Sequence, residues 1–258
     1  MSLLKMLSIA FCGLNLMHLP SYASSDKIYI NNVEWPPFFF SDQTRDKIGL
    51  GNEILSICLK QTNYQPEYKT LPVKRTHLYM QMGELDISVY SHKTERNGFV
   101  YYGKEPIFTS TYTLASKKDK KIAINKLDDL NNYIIGHLSG LTHTPELLRI
   151  IDHKAQKNEV SIGHSVEAMF NQMLATPQRF DIMPNSKETF LWNAKQLGIL
   201  DKITIHDLFI AEKNYYITVS KFSKNITKPI QLLENLDTCI QNLKANGSYQ
   251  KIALQYGL

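Results

Sequence analysis

Short strand-like and helix-like segments alternate along this chain of 258 residues, and the alternation passes through two similar cycles. The first cycle occupies 27–90 and has three strands separated by helices at 52–61 and 74–82, and the second repeats this order over 133–183. A β-α-β-α-β order is typical of a mostly parallel sheet covered by helices. The sequence therefore predicts an α/β fold built from two units of similar size.

Both cycles enter their third strand through an aspartate. Asp86 follows the glycine that ends the second helix, and Asp181 stands at the equivalent point of the second cycle. This echo favours two lobes, and a single larger sheet is the alternative. A further strand at 215–219 and an amphipathic helix at 230–243 follow the second cycle.

The charge of the chain argues against a nucleic-acid partner. Lys and Arg total 29 and Asp and Glu total 24, which leaves a net charge of 29 − 24 = +5. The densest basic stretch is the short cluster at 117–121, whereas nucleic-acid binding usually needs a basic patch or stripe. With 43% hydrophobic residues the chain can build a sizeable core.

The first 23 residues have the organisation of a secretory signal peptide. Lys5 precedes an apolar stretch at 6–19, Pro20 ends it, and Ser21-Tyr22-Ala23 supplies small residues at the cleavage position. The stretch is shorter than the roughly 20 apolar residues of a membrane span. We therefore expect cleavage after Ala23 and a mature protein in the periplasm.

Two cysteines, Cys58 and Cys239, remain in the mature chain. An oxidising compartment permits a disulfide between them. Each also lies on the apolar side of a predicted helix, where a free thiol packs as a small hydrophobic side chain. The sequence leaves both states open.

Six segments, taken in order, resemble the type II periplasmic solute-binding proteins, specifically the polar amino-acid-binding family (bacterial extracellular solute-binding family 3) of ABC importers. The resemblance covers nearly all of the mature chain. The segments are Glu34-Trp35-Pro36-Pro37-Phe38, the stretch from Ile48 to Ile54, Gly83-Glu84-Leu85-Asp86, Thr94-Glu95-Arg96 with the stretch from Phe99 to Pro106, the stretch from Gly136 to Thr142, and the stretch from Leu243 to Tyr249.

This resemblance implies a two-lobed fold with a hinge and an interlobe cleft that closes on a ligand. The first lobe would comprise 24–108 and 211–258, and the second would be the inserted segment 109–210. Crossover strands near 109–111 and 211–215 would form the hinge. The resemblance also implies a monomer that hands a small polar ligand, an amino acid or a related small carboxylate, to an ABC importer permease or a membrane sensor.

Arg96 is the residue that the resemblance singles out. It follows the strand at 85–90, near the sheet edge where α/β folds bind ligands, and its guanidinium offers a planar pair of donors to a carboxylate. The family holds the ligand's α-carboxylate with the arginine of a Thr-x-x-Arg segment, and Thr94-Glu95-Arg96 is one residue shorter. A solvated loop arginine is the alternative.

Four more residues are predicted near Arg96. Trp35, on the Pro-Pro loop, offers an aromatic face to the ligand or else plugs the core beneath the loop. Tyr90, Ser91 and His92 leave the same sheet edge as Arg96. They supply hydroxyl or imidazole contacts to a ligand, or they satisfy the backbone of the loop.

The opposite wall of the cleft is expected from the second lobe. The turn that ends at Thr142 precedes a helix, whose free N–H groups favour an anion, and the family uses this turn for the ligand carboxylate. The family usually pairs the ligand ammonium with an acid after the third strand, where in this chain Asn185 or Ser186 would face the ligand without a charge. Glu188 is a substitute one helical step on. An α-amino acid and a ligand without an ammonium both remain open.

No metal, cofactor or catalytic residue is expected. His137 and His143 lack cysteine or carboxylate partners at metal-binding spacing. The resemblance implies a binding protein and not an enzyme. Two other functions remain open: a periplasmic enzyme on the same fold, similar to the dehydratases, which needs an acid or base such as Glu34, His92 or Glu188, and an exported partner-binding domain without a small ligand.

Overall fold

The computed structural model describes residues 26–42, 44 and 46–258. The predicted signal peptide lies outside the described residues. The described elements, in chain order, are β1 Asp26–Asn31, α1 Leu50–Leu59, β2 Tyr64–Lys69, α2 Val73–Met82, β3 Ile87–Ser91, β4 Val100–Lys117, β5 Ile135–Leu138, α3 Pro145–Ala155, β6 Val160–Gly163, α4 Val166–Leu174, β7 Ile182–Ser186, α5 Lys187–Gln196, β8 Ile203–Ile205, β9 Ala211–Ser220, α6 Pro229–Ala245 and α7 Ser248–Gln255.

The strands form one hydrogen-bonded path in the order β2-β1-β3-β9-β4-β7-β5-β6, and β8 pairs with β4 off this path. The path is two copies of one pattern joined in the middle. In each copy three parallel strands lie beside an antiparallel crossover strand, β9 in the first copy and β4 in the second. The sheet is therefore mixed, and the mostly parallel order predicted from the alternation holds within each copy.

Each copy is the sheet of one lobe, and the two lobes have separate hydrophobic cores. In the first lobe α1, α6 and α7 cover one face of the sheet and α2 covers the other. In the second lobe α3 packs on one face, while α4 and α5 pack on the opposite face. The fold is thus a two-lobed α/β structure whose lobes are connected by the paired strands β4 and β9.

The two aspartates that echo each other in the sequence have the same role in both lobes. Asp86 N–H donates to Tyr29 O (2.8 Å), and Tyr29 N–H donates back to Asp86 Oδ2 (2.7 Å). Asp181 N–H donates to Ile134 O (2.9 Å), and Ile134 N–H donates to Asp181 Oδ2 (2.9 Å). Each carboxylate joins the third strand of its lobe to the first. This shared contact explains the echo.

The tail of the chain returns to the first lobe and is linked to it covalently. Cys58 on α1 and Cys239 on α6 form a disulfide with a Cα–Cα distance of 5.6 Å. Both cysteines are buried in the first-lobe core. The sequence left a disulfide and two free thiols open, and the structure contains the disulfide.

No helix among the described residues combines the length and apolar character that crossing a bilayer requires.

Candidate functional site

The strands β4 and β9 form a floor between the lobes. Phe108 pairs with Tyr215 and Ser110 pairs with Lys213 in an antiparallel register. Because side chains alternate along a strand, these four residues lie on one face of the pair. The Tyr112 and Tyr215 hydroxyls lie 2.8 Å apart on the same face. Burial raises the pKa of both phenols, so the floor is neutral apart from Lys213.

Arg96 lies at the first-lobe end of this floor, in a short 3₁₀ helix after β3. Its Nη1 donates to Ser91 O (2.8 Å), and its guanidinium carbon lies 4.6 Å from the centre of the Tyr90 ring. Among the described residues no carboxylate lies within ion-pair distance of this guanidinium. The side chain is half-buried, held by two neutral contacts and free to bind an anion.

The Tyr90 ring, on which the Arg96 guanidinium rests, is held in place by a residue of α2. Tyr90 is buried, and its hydroxyl lies 2.9 Å from His77 Nδ1. Burial raises the pKa of Tyr90 to about 12. Burial also lowers the pKa of His77, and the positive charges of Arg96 and Lys93 lower it further. A neutral imidazole and a neutral phenol therefore orient the face on which the guanidinium rests.

Ser91 and His92 occupy the predicted sheet edge, with different exposures. The carbonyl of Ser91 accepts from Arg96 and, at 3.4 Å, from the Tyr102 hydroxyl. His92 is exposed, and its ring centre lies 4.8 Å from that of Tyr102. Ser91 thus positions Arg96 through its backbone, and His92 lies at the solvent side of the group.

Trp35 is half-buried and connects the two lobes. Its ring lies edge-on to Phe108 (5.5 Å between centres) and to Tyr215 (4.8 Å), as part of the first-lobe aromatic cluster. Its Nε1 donates to Thr189 Oγ1 on α5 of the second lobe (3.1 Å). The indole therefore serves the core and also lies at the interlobe boundary.

Ser186 is fully buried and caps α5. Its Oγ accepts from Thr189 N–H (3.3 Å) and donates to Thr189 Oγ1 (2.7 Å). The Thr189 hydroxyl in turn donates to Pro36 O in the first lobe (2.9 Å). The Thr189 hydroxyl therefore donates one hydrogen bond and accepts two, from Ser186 and from Trp35, which uses its full hydrogen-bonding capacity. The structure places Ser186 inside this interlobe network and not at an open surface.

Thr142 approaches the floor from the second lobe through its backbone. The helix α3 begins at Pro145, with Thr144 as N-cap, so Thr142 lies in the preceding turn. The Thr142 carbonyl accepts from Lys213 Nζ (3.3 Å), and the same ammonium lies 4.8 Å from the centre of the Tyr112 ring. The backbone of the Thr142 turn therefore contacts the floor through Lys213.

Glu188 is the acidic group of the site, on the first turn of α5. Its carboxylate accepts from Ser110 Oγ (3.0 Å) and from the Thr111 N–H (3.2 Å to Oε1). Burial raises the pKa of Glu188 despite these hydrogen bonds. The residue ties the second lobe to the crossover strand and is the nearest match to the acid that the sequence lacked at Asn185 and Ser186.

Two histidines of the second lobe, His137 and His143, lie next to this wall. Their ring centres are 5.3 Å apart, and His137 Nδ1 and His143 Nε2 are buried without a hydrogen-bond partner. No group of three or more potential metal ligands occurs among the described residues. Burial, together with the neighbouring His137 and Lys213, lowers the pKa of His143 to about 3.

Acidification should destabilise the protein through His143. The folded-state pKa lies below the unfolded value, so the unfolded chain binds more protons between those two values, and stability falls as the pH drops below about 6.5. Between pH 6.5 and pH 4 this single group should remove about 2–3 kcal/mol. Thermal melts at pH 7 and pH 4 should therefore differ less for His143→Gln than for the parent.

The control for this prediction is His153→Gln, because His153 is exposed on α3. It should melt like the parent at both pH values. A His143→Gln variant with the parent's full acid sensitivity would contradict the prediction.

A surface cavity of about 320 Å³ lies away from these residues, in the first lobe. Its wall is already engaged in structural contacts, since Asn225 Nδ2 donates to Asp86 Oδ2 (3.0 Å) and Lys69 Nζ lies 3.4 Å from the centre of the Tyr29 ring. The polar side chains of both lobes converge at the floor instead.

Sequence reasoning missed Lys213, Tyr215 and Thr189. A signal for Lys213 was present, because Glu212, Lys213 and Asn214 form a polar run inside a predicted crossover strand. For the other residues the contacts depend on which distant elements pack together.

A family model for bacterial extracellular solute-binding proteins, family 3, matches residues 28–258. No curated protein sequence matches the chain.

Solved structures share the fold at low sequence identity. An ancestral arginine-binding protein bound to arginine is 20% identical, with a TM-score of 0.70 and coverage of 91% of this chain and 99% of the other. A substrate-binding protein of an ABC uptake transporter from Streptococcus pneumoniae, with bound histidine, is 13% identical, with a TM-score of 0.69 and coverage of 90% and 93%. A histidine kinase sensor domain similar to periplasmic binding proteins is 12% identical, with a TM-score of 0.70 and coverage of 90% and 96%.

Proposed function

The chain belongs to the bacterial extracellular solute-binding proteins of family 3, and from this premise we propose that it captures a small polar carboxylate, an amino acid or a related compound, between its lobes. The observation that carries the ligand class is Arg96, a half-buried guanidinium without a carboxylate partner among the described residues. Burying a charge is costly unless it is paired. A ligand carboxylate supplies the missing partner.

The proposed lobes are 24–108 with 211–258, and 109–210. β4 and β9 act as the hinge, since both strands run from one lobe towards the other. The contacts from Lys213 to Thr142 and from Trp35 to Thr189 cross between the lobes. They support a closed arrangement in which a ligand touching both walls is held.

The ligand contacts in this proposal are Arg96, Trp35, Tyr90, Ser91, His92, Thr142 and Ser186. Arg96 is the anchor, and Tyr90 and Ser91 position it. Trp35 contributes aromatic surface at the lobe boundary, His92 a donor or acceptor at the solvent side, and Thr142 the second-lobe wall. Ser186 contributes through the N-terminus of α5, since its own hydroxyl is engaged with Thr189.

The remaining parts of the proposal concern the setting of the protein. A leader cleaved after Ala23 exports the chain to the periplasm, where it acts as a monomer. It passes the ligand to an ABC importer permease or reports it to a membrane sensor. The fold supports both roles, because it occurs in an ABC uptake protein and in a histidine kinase sensor domain.

A thermal-shift screen of amino acids, small carboxylates and polyamines tests the proposal. A ligand at one hundred times its Kd stabilises by about 2.7 kcal/mol, which corresponds to roughly 5–10 °C for a chain of this size. We expect such a shift with a carboxylate and none with polyamines, which lack one. Chemical conversion of the bound compound would support an enzyme instead, and no shift with any compound would favour a partner-binding domain.

A further inference from the structure

Lys213 is a second half-buried cation at the floor, close to Arg96. In the pairing of β3 with β9, Ser91 lies opposite Tyr215, and the Ser91 carbonyl is the one that accepts from Arg96. Lys213 is two residues from Tyr215, so both lie on one face of β9 with Cα atoms about 7 Å apart. The positive charge of Arg96 also lowers the pKa of Lys213, so the two cations lie near each other at this end of the sheet.

The contacts of Lys213 leave its charge unpaired. Its ammonium donates to one backbone carbonyl, of Thr142, and rests on one aromatic ring, of Tyr112. Among the described residues no carboxylate lies within ion-pair distance of Lys213. An ammonium has three donors, so two remain for other acceptors.

The surroundings of Lys213 are positive. Burial lowers the pKa of Lys213, and the charges of Lys93 and Arg96 lower it further. Lys93 has one carboxylate partner, Glu95 at 3.8 Å, which is itself well exposed. The half-buried acid of the site, Glu188, is held by Ser110 and Thr111. More positive than negative charge therefore faces the cleft.

We propose that the ligand carries two acidic groups, one bound by Arg96 and the other by Lys213, and is thus an acidic amino acid or a short dicarboxylate. This inference rests on the proposed function and narrows its ligand class. The second acidic group would be bound by a lysine that also contacts the second lobe, so it would join the two walls. A neutral amide in its place accepts a hydrogen bond but leaves the ammonium charge unpaired.

Calorimetric titration with matched acid and amide pairs tests this inference. The probes are L-glutamate against L-glutamine and L-aspartate against L-asparagine, with glutarate and succinate as dicarboxylates without an ammonium. We expect at least one acid to bind at least tenfold more tightly than its amide, or a dicarboxylate to bind when neither amide does. Raising the salt concentration should reduce this preference.

Variants at Lys213 connect the preference to this side chain. Lys213→Gln should reduce the ratio of acid to amide affinity to about threefold or less, and Lys213→Arg should retain most of the preference because the charge stays. Lys251→Gln, which removes an exposed lysine on α7, should keep the full ratio. Melting curves show whether each variant folds. If Lys213→Gln does not fold, the ratios of acid to amide affinity of the parent and of Lys213→Arg test the inference instead.

Two results would overturn the inference. One is parent protein that binds the amides as tightly as the acids, and the other is a folded Lys213→Gln variant with an unchanged ratio. In both cases binding of a carboxylate leaves the proposed function standing. If none of the six probes binds while another carboxylate binds in the thermal-shift screen, the acidic ligand class is wrong and the proposed function stands. If no carboxylate binds at all, both fail.

Discussion

Replacing Arg96 by alanine should weaken the binding of the best carboxylate ligand by more than tenfold and leave the melting temperature of the ligand-free protein nearly unchanged. Removing one member of a buried, hydrogen-bonded charge pair typically costs about 2–5 kcal/mol of binding, because the ligand charge loses its partner. The ligand-free protein loses only a hydrogen bond to Ser91 O and a contact with the Tyr90 ring. Calorimetry on the parent and the variant measures the difference.

Two further variants make the Arg96 test specific. Arg96→Lys should recover only part of the affinity, since a point charge replaces a planar pair of donors. Arg149→Ala removes an exposed arginine on α3 and should bind like the parent. If Arg96 were a solvated loop arginine, its removal would cost at most about 1 kcal/mol of binding. Parent-like binding by Arg96→Ala would place the carboxylate site elsewhere.

The alternation of strands and helices predicted the two-lobed fold, because each short element has its own periodicity and its own end signals. Gly83, for example, ends α2 in the left-handed conformation (φ 70°) that favours glycine. The boundaries of most elements agree within two or three residues. Asparagine is a preferred N-cap residue, but Gly49 has the N-cap position of α1, and the Asn52 side chain instead donates to Asn32 Oδ1 (2.9 Å).

The resemblance implied a crossover strand only near 109–111, whereas β4 extends over Val100–Lys117. Gly103, Lys104 and Pro106 lie within it and are typical of a turn. The structure accommodates them through irregular pairing with β9 around Pro106. Asp237 on α6 accepts from the Lys104 N–H (2.8 Å) and the Glu105 N–H (3.1 Å). This support comes from a residue more than 130 positions away, so no local pattern could predict it.

The candidate site likewise combines residues that are near one another in the sequence with residues that only the tertiary structure brings together. Tyr90 and Ser91 end β3 and Arg96 follows it closely, so the sequence alone predicts that they lie together. Lys213 joins them only through the register of β9 against β3 and β4. Ser186 was assigned to the ligand from the family pattern, while its local role as the N-cap of α5 follows from a serine directly before a helix.

Loss of the disulfide between Cys58 and Cys239 should lower the free energy of unfolding by about 3–5 kcal/mol. The two cysteines are separated by 181 positions, and a cross-link that closes a long loop removes much of the freedom of the unfolded chain. At about 2–4 °C per kcal/mol, the melting temperature should fall by roughly 10 °C. Melting curves with and without a thiol reductant measure this shift.

A double replacement separates the cross-link from the chemistry of the reductant. Cys58→Ala with Cys239→Ala should melt near the reduced parent, and reductant should not shift it further. The same pair replaced by serine should be less stable still, because both positions are buried in an apolar core and the hydroxyls would lack partners. Thiol counting verifies that the parent is reduced. If the fully reduced parent melts like the oxidised protein, the bridge does not stabilise the fold, and packing of α6 against α1 alone holds the returning tail on the first lobe.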